Sequence, residues 1–284
     1  MLSKILVPVR GDGMVGTVLG HAAELAKRHR AHVVVAHCRA QASDLMPQGV
    51  PLPSFARETL VQQAHELADR QEEHVRKILT RLTRELGLAE GAARRGEIGT
   101  CEFVEENVRM ADLIKRHGRL ADLIVVAKPD RDRNLGFNSL KAGLYSTGRP
   151  VLMCPGHGVP GPGLGAHVAV GWNGSMEAAR AVALTLDLAA GADRVTILSV
   201  GGGEPHGAST EELAEYYRLR GVEASALRFE ARHPGAALLA KATEIGADML
   251  IMGAYSHSHE RETLFGGNTQ TVVDTADLPV VLVH

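Results

Sequence analysis

The residues best placed to do chemistry lie in the last stretch, 247–284. Gly253 closes an apolar run, Ala247-Asp-Met-Leu-Ile-Met252. A polar loop carrying Ser256 follows, and the pair Gly266-Gly267 then opens onto Asn268 and Thr269. Glycine has no Cβ, so a ligand can approach the backbone closely there. The first N–H groups of a helix have no partner within it and favour an anion in front of them. Glycines between a strand and a helix start, followed by cap-type Asn and Thr, therefore describe a phosphate cradle. Glycines that serve only the turn give the same spacing, and spacing alone leaves both readings open.

Three other groupings compete. Ser256-His257-Ser258-His259-Glu260 places two imidazoles and a carboxylate together, as a zinc site would. No distant fourth ligand stands out, so the segment reads as a polar loop in which His257 or His259 could touch a polyphosphate. Gly11-Asp-Gly13-Met-Val-Gly16 fits G-x-G-x-x-G between a strand and a helix. That fingerprint needs an acid after the second strand, but His32-Val-Val-Val-Ala36 runs into His37, Cys38 and Arg39, and no acid appears before Asp44. The dinucleotide reading is set aside. No nucleophile–base–acid set is evident, and Ser175 reads as a helix N-cap. No catalytic residue and no metal ligand is assigned.

Composition narrows the class. The chain of 284 residues is 45% hydrophobic and 23% charged, an ordinary globular balance, and aromatics at 4% leave the core to aliphatic side chains. A formal net charge of −2 offers no electrostatic reason to expect nucleic acid or an anionic membrane. No apolar run approaches the roughly 20 residues of a span. The start, Met1-Leu-Ser-Lys-Ile-Leu-Val-Pro, lacks the parts of a signal peptide. Cys38, Cys101 and Cys154 have no metal-type spacing and read as free thiols of a cytoplasmic protein.

An internal repeat gives the elements that must position the cradle. Ile5-Leu-Val-Pro-Val9 pairs with Val168-Ala-Val-Gly-Trp172, Ala121-Asp-Leu-Ile-Val-Val126 with Ala247-Asp-Met-Leu-Ile-Met252, and Arg149-Pro-Val-Leu-Met153 with Leu278-Pro-Val-Val-Leu282. Between the copies, eight of the eleven residues from Pro155 to Gly165 are Gly or Pro. The expected organisation is a domain over 1–155, a linker over 156–165 and a domain over 166–284. In each half, apolar strands alternate with helical patterns, which argues for a parallel sheet covered on both faces. In the second half, strands are expected at Val168–Trp172, Val195–Val200 and Ala224–Phe229. Helices are expected over Thr210–Arg220 and Gly235–Ile245, and one with Ala179, Val182, Ala183 and Leu186 on its buried face. The first half carries an insertion over residues 43–86. It comprises a Pro-rich loop and a long helix from about Arg57 to Leu86, striped by Leu60, Ala64, Leu67, Val75, Ile78 and Leu82, a stripe expected to pack on its own sheet.

The segment from Gly253 to the closing Pro279-Val-Val-Leu-Val283 strand resembles the nucleotide-binding end of the universal stress protein family, whose pattern is G-x2-G-x9-G-[ST]. Gly253 and Gly266 match; Ser256 replaces the second glycine and Gly267 the Ser or Thr. The resemblance covers nearly the whole chain apart from the linker and the insertion. It implies an α/β chain of two tandem doubly wound domains, each a five-stranded parallel sheet of order 3-2-1-4-5, in pseudo-twofold arrangement. It further implies ATP or another adenine nucleotide, with accompanying Mg²⁺, held by Asn173 in place of an Asp, Val200, Gly253, Ser256, Gly266, Gly267, Asn268 and Thr269. In the first half Arg10 stands where the Asp would be, Ala127 replaces the first glycine and the loop Lys128–Ser139 is shorter. No open helix start and no nucleotide are expected there. The function implied is that of a stress-response, ligand-gated regulator or protective factor acting as a homodimer. The alternatives are a slow ATP hydrolase and a ligand-free dimerising scaffold.

Overall fold

In the strands, successive side chains point to opposite faces. Ile5, Val7 and Val9 enter one apolar cluster and Leu6 the other; Val33 and Val35 face one way, Val34 and Ala36 the other. Runs apolar at every position therefore become strands buried on both faces. Each such side chain, taken wholly out of water, contributes about 1.5–3 kcal/mol. The computed structural model describes residues 2–9, 14–38, 53–92, 99–132, 136–158, 160–201, 207–254 and 267–284.

The first half contributes β1 (Lys4–Val9), β2 (His32–Cys38), β3 (Ala89–Glu90), β4 (Thr100–Glu106), β5 (Leu123–Ala127) and β6 (Val151–Cys154). The second contributes β7 (His167–Gly171), β8 (Arg194–Val200), β9 (Ala224–Phe229), β10 (Met249–Gly253) and β11 (Val280–Val283). They form one 11-stranded sheet in the order β3-β4-β2-β1-β5-β6-β11-β10-β7-β8-β9. Within each half the order is the expected 3-2-1-4-5. The two-residue β3 is an addition to the five strands expected. It arises where the chain passes the edge of β4, with Ala89 N–H bonding Gly99 O and Gly91 N–H bonding Cys101 O.

The repeated Ala-Asp dipeptide has a structural task in both halves. Asp122 Oδ2 accepts from the N–H groups of Ser3 (2.8 Å) and Lys4 (2.9 Å). Asp248 accepts from Gly165 (2.6 Å) and His167 (2.8 Å). Each carboxylate fastens the chain entering the central strand beside it, by hydrogen bonds worth about 1.5–3 kcal/mol each.

The halves join through β6 and β11, which pair antiparallel with Val280 opposite Met153, Val281 opposite Leu152 and Leu282 opposite Val151. In the internal repeat Val151, Leu152 and Met153 correspond to Val280, Val281 and Leu282. The register is thus symmetric, and the pseudo-twofold axis passes between Leu152 and Val281. Away from the sheet, Arg28 Nε donates to Gly191 O at 2.7 Å and Arg28 Nη2 meets Asp193 at 2.7 Å.

Helices cover the sheet by position in each half. On one face lie α1 (Val15–His29), α2 (Ser54–Glu85), α5 (Met176–Leu184), α6 (Leu186–Ala190) and α7 (Thr210–Arg218). On the other lie α3 (Met110–Gly118), α4 (Phe137–Ser146), α8 (Pro234–Glu244) and α9 (Gly267–Thr275). Two expectations need correction. The buried face of α5 is Ala178, Ala181 and Val182, one position from the stripe expected, because an Ala-rich helix offers two nearly equal stripes. The helix over 54–85 is the crossover after β2, counterpart of the nine-residue α7, lengthened rather than inserted. Its buried side chains include Ala68, Val75 and Leu79, while Leu67 stays 44% exposed and Phe55 71% exposed. Val75 and Leu79 belong to the cluster shared with α1. No helix among the described residues is long and apolar enough to cross a membrane.

Candidate nucleotide site at the strand ends

In a doubly wound sheet, the crevice for ligands opens at the carboxyl ends of the strands flanking the point where strand order reverses. In the second half these strands are β7 and β10, paired with Gly171 opposite Met252, and β8 lies beside β7. Asn173, Val200 and Gly253 therefore sit at the carboxyl ends of three adjacent strands. Asn173 is exposed; its Oδ1 accepts from Ser175 N–H at 3.1 Å, a local turn that leaves the amide hydrogens for other partners. Ser175 caps α5, its hydroxyl accepting from Ala178 N–H at 3.2 Å.

Two site residues have internal roles that sequence reasoning did not anticipate. A Cβ on Gly253 would lie 2.6 Å from both Ala178 N and Glu177 C, so this glycine lets the start of α5 close onto β10. Asn268 Oδ1 accepts from Gly235 N–H at 3.4 Å, and a Cβ on Gly235 would come 2.5 Å from Asn268 O. The first turns of α8 and α9 are thus packed backbone to backbone. Gly267 opens α9 with free space on its Cβ side, while Thr269 is buried. Ser256, Gly266, His257 and His259 lie outside the described residues, as do Arg10 and the first three residues of the G-x-G-x-x-G segment, Gly11, Asp12 and Gly13.

The corresponding place in the first half is open, and this corrects the expectation of a closed helix start there. A cleft of about 650 Å³ lies at the carboxyl ends of β1 and β5, lined by Val9, Val126 and Ala127 from the strands and by Gly136, Phe137, Asn138 and Ser139 from the start of α4. Gly136 precedes α4 with φ of 81°, and no side chain caps this helix. The reason is local. Ala127 lines the cleft, whereas the equivalent Gly253 is covered by α5. Nearer the seam, a second cavity of about 500 Å³ is lined by Lys128, Asp130, Arg131, His157, Asp274 and Asp277. Lys128 Nζ donates to Ala276 O at 2.9 Å and Arg131 pairs with Asp274 at 2.8 Å, so this cavity's cations are tied across the halves.

No group of three or more His, Cys, Asp or Glu side chains suited to a metal occurs among the described residues. Cys38, Cys101 and Cys154 are buried free thiols; burial pushes the Cys101 thiol up to about 11 and Cys154 well above its ordinary value. The thiols of Cys101 and Cys154 are therefore poor nucleophiles at neutral pH.

A family model described as "Universal stress protein family" matches residues 1–138 and 166–284. Among solved structures, a universal stress protein from Archaeoglobus fulgidus is 16% identical, with a TM-score of 0.70, over 100% of this chain and 98% of that one. A putative universal stress protein from Pseudomonas aeruginosa is also 16% identical, with a TM-score of 0.55, covering 99% of this chain and 93% of the other. A functionally unknown protein from the same organism gives 16% and 0.56 over 99% and 92%. These likenesses are of fold. No curated protein matches the chain.

Proposed function

The chain belongs to the universal stress protein family, and we propose that it binds an adenine nucleotide in its second half and acts as a ligand-gated regulator or protective factor in stress. The observation that supports this most is the convergence of Asn173, Val200 and Gly253 on the carboxyl ends of β7, β8 and β10 respectively, the three strands around the switch point. Asn173 supplies an amide to the nucleoside. The segment from Ser256 to Gly267 and the start of α9 supply N–H groups to the phosphates, with Mg²⁺ beside them. The domain over 166–284 carries the site, and that over 1–155 has lost the nucleotide and serves as its structural partner across the linker at 156–165. Pairing of whole chains belongs to the same reading. It uses a surface other than β6 and β11, since each of these already bonds a strand on both sides.

Calorimetric titration with ATP, ADP and AMP tests the site. Wild type should bind one nucleotide per chain with micromolar or weaker affinity, since Gly267 lacks the hydroxyl and Asn173 the carboxylate of the family pattern, at about 1.5–3 kcal/mol for a bond to a charged group, and Ser256 lacks glycine's backbone freedom. Gly266→Val should abolish binding and Ala127→Val should leave it unchanged. Ser256→Gly with Gly267→Ser should tighten it, and the open space at Gly267 accepts the added side chain. Two sites per chain would refute the asymmetry. Single-turnover hydrolysis lost in Gly266→Val would favour a slow hydrolase instead. One observation favours the scaffold reading: Gly253 and Asn268 both serve internal packing. A restored-motif variant that binds no better than wild type would establish it.

A further inference from the structure

The two outer edges of the sheet differ. A strand edge presents a row of unpaired N–H and C=O groups, which folded proteins blunt with charges, prolines, bulges or a covering element. The first-half edge is blunted: β3 pairs with Thr100 and Cys101 of β4, and β4 carries Glu102, Glu105 and Glu106. The second-half edge, β9, has none of these devices. It runs Ala-Ser-Ala-Leu-Arg-Phe, without a proline or a carboxylate. Its register with β8 is unbroken, from Val195 opposite Ala224 to Val200 opposite Phe229. Its one charge, Arg228, is turned onto α7, where Nε donates to Thr210 Oγ1 at 2.7 Å and the guanidinium pairs with Glu211. No strand lies beyond β9 among the described residues.

The ladder fixes where each edge group points. Phe229 O accepts from Gly201 N–H at 2.9 Å, so Phe229 faces β8. Along a strand the N–H and C=O of one residue share a side, and successive residues alternate. Ser225, Leu227 and Phe229 therefore bond β8, while Ala224, Ala226 and Arg228 present their N–H and C=O groups outward. This outward set, centred on Ala226, is its own complement under a twofold axis. We infer that β9 pairs antiparallel with β9 of a second copy of this chain. Ala226 meets the partner's Ala226 on the axis, and Ala224 meets the partner's Arg228 on either side. Each is the kind of antiparallel pair that exchanges both N–H···O bonds. The chain already joins two sheets in this way, since β6 and β11 pair antiparallel about the pseudo-twofold axis. Ser225 and Ala226 are exposed, and Leu227 and Phe229 are half-buried against the cluster that α8 covers. Pairing thus also takes apolar surface from water. The inference rests on the reading that whole chains pair, gives that pairing its surface, and needs no nucleotide.

Sedimentation velocity and cysteine cross-linking on the full chain test this. Wild type should sediment as a dimer at micromolar concentration. Ala226→Pro removes an N–H that β8 does not use, and proline is tolerated on an edge whose N–H faces solvent. Its circular dichroism should stay that of wild type, while dimerisation weakens about tenfold or more through loss of both hydrogen bonds on the axis. Ala226→Cys should form an intermolecular disulfide under mild oxidation, since the Cα atoms of such a pair lie about 5.5 Å apart. The native thiols Cys38, Cys101 and Cys154 are buried and leave this reaction to the new one. Ala224→Cys lies about 13 Å from its own mate in this register and should not cross-link. If Ala226→Pro misfolds, the two cysteine variants decide. A wild-type dimer indifferent to Ala226→Pro, failure of Ala226→Cys to cross-link, or equal cross-linking of Ala224→Cys would each overturn the inference and leave the pairing of chains standing. A wild-type monomer would overturn both.

Discussion

At residue scale, the same glycine can serve a ligand or a neighbouring backbone, and contact distances separate the two. Gly253 faces α5, so Gly253→Ala should destabilise the fold by about 1–3 kcal/mol, the usual range for overpacking. Gly267→Ala has open space and should be neutral or stabilising by up to about 1 kcal/mol. Urea titration of both variants measures the contrast. Spacing marked both glycines but could not assign their roles, because it does not encode which backbone draws near. The opposite held for Ser175, whose N-cap role is local and hence legible. The histidines give a pH dependence. His167 Nδ1 accepts from Arg194 at 2.9 Å and its Nε2–H donates to Thr196, so the ring is held neutral. Burial, then the Arg194 charge, lowers its pKa. Burial also lowers His21, whose Nδ1–H donates to Thr17 O. A lowered folded-state value means that the unfolded chain takes up protons first. Stability is then full above about pH 6.5 and declines as the pH falls through that value toward the folded pKa. Thermal unfolding between pH 7 and 5 should show this slope. His167→Gln with His21→Gln, which can keep the same hydrogen bonds, should reduce it, leaving the share of His29, also lowered by burial.

At the scale of elements, the apolar runs gave strands close to their true bounds because strands buried on both faces have no polar alternation to confuse with a helix. The half-exposed edge strand Ala224–Phe229 was also legible residue for residue, without being buried on both faces. The helix faces were less so. Alanine fills either stripe of α5, and the approach of Gly253 to Ala178, a contact distant in sequence, fixes its rotation. The long α2 shows a graded attachment. Its buried positions, Ala68, Val75, Leu79 and Thr83, lie in the later part, while Phe55 and Leu67 near the start stay exposed. Hydrogen exchange should therefore find the amides of residues 54–67 opening well before those of 75–85. Uniform protection along the helix would mean that something covers the start of α2 in solution.

At the scale of the whole molecule, the Gly/Pro stretch reads as a linker, but it is the β6–β11 seam that makes one sheet of the two halves. Six side chains, Val151, Leu152, Met153, Val280, Val281 and Leu282, meet there, all fully buried. Their contribution at about 1.5–3 kcal/mol each is well above what a flexible tether adds by raising the effective concentration of one half to the millimolar range. Cutting the chain within the linker, at a protease site introduced beside Gly158, should therefore leave the halves together in size exclusion at micromolar concentration. Leu152→Asp puts an unpaired carboxylate on the pseudo-twofold axis, against Val281, where a buried charge without a partner costs several kcal/mol. The cut chain carrying Leu152→Asp should separate into its halves, while the uncut variant stays a single species of reduced stability. If the cut wild-type chain falls apart on the column, the linker and not the seam holds the molecule together.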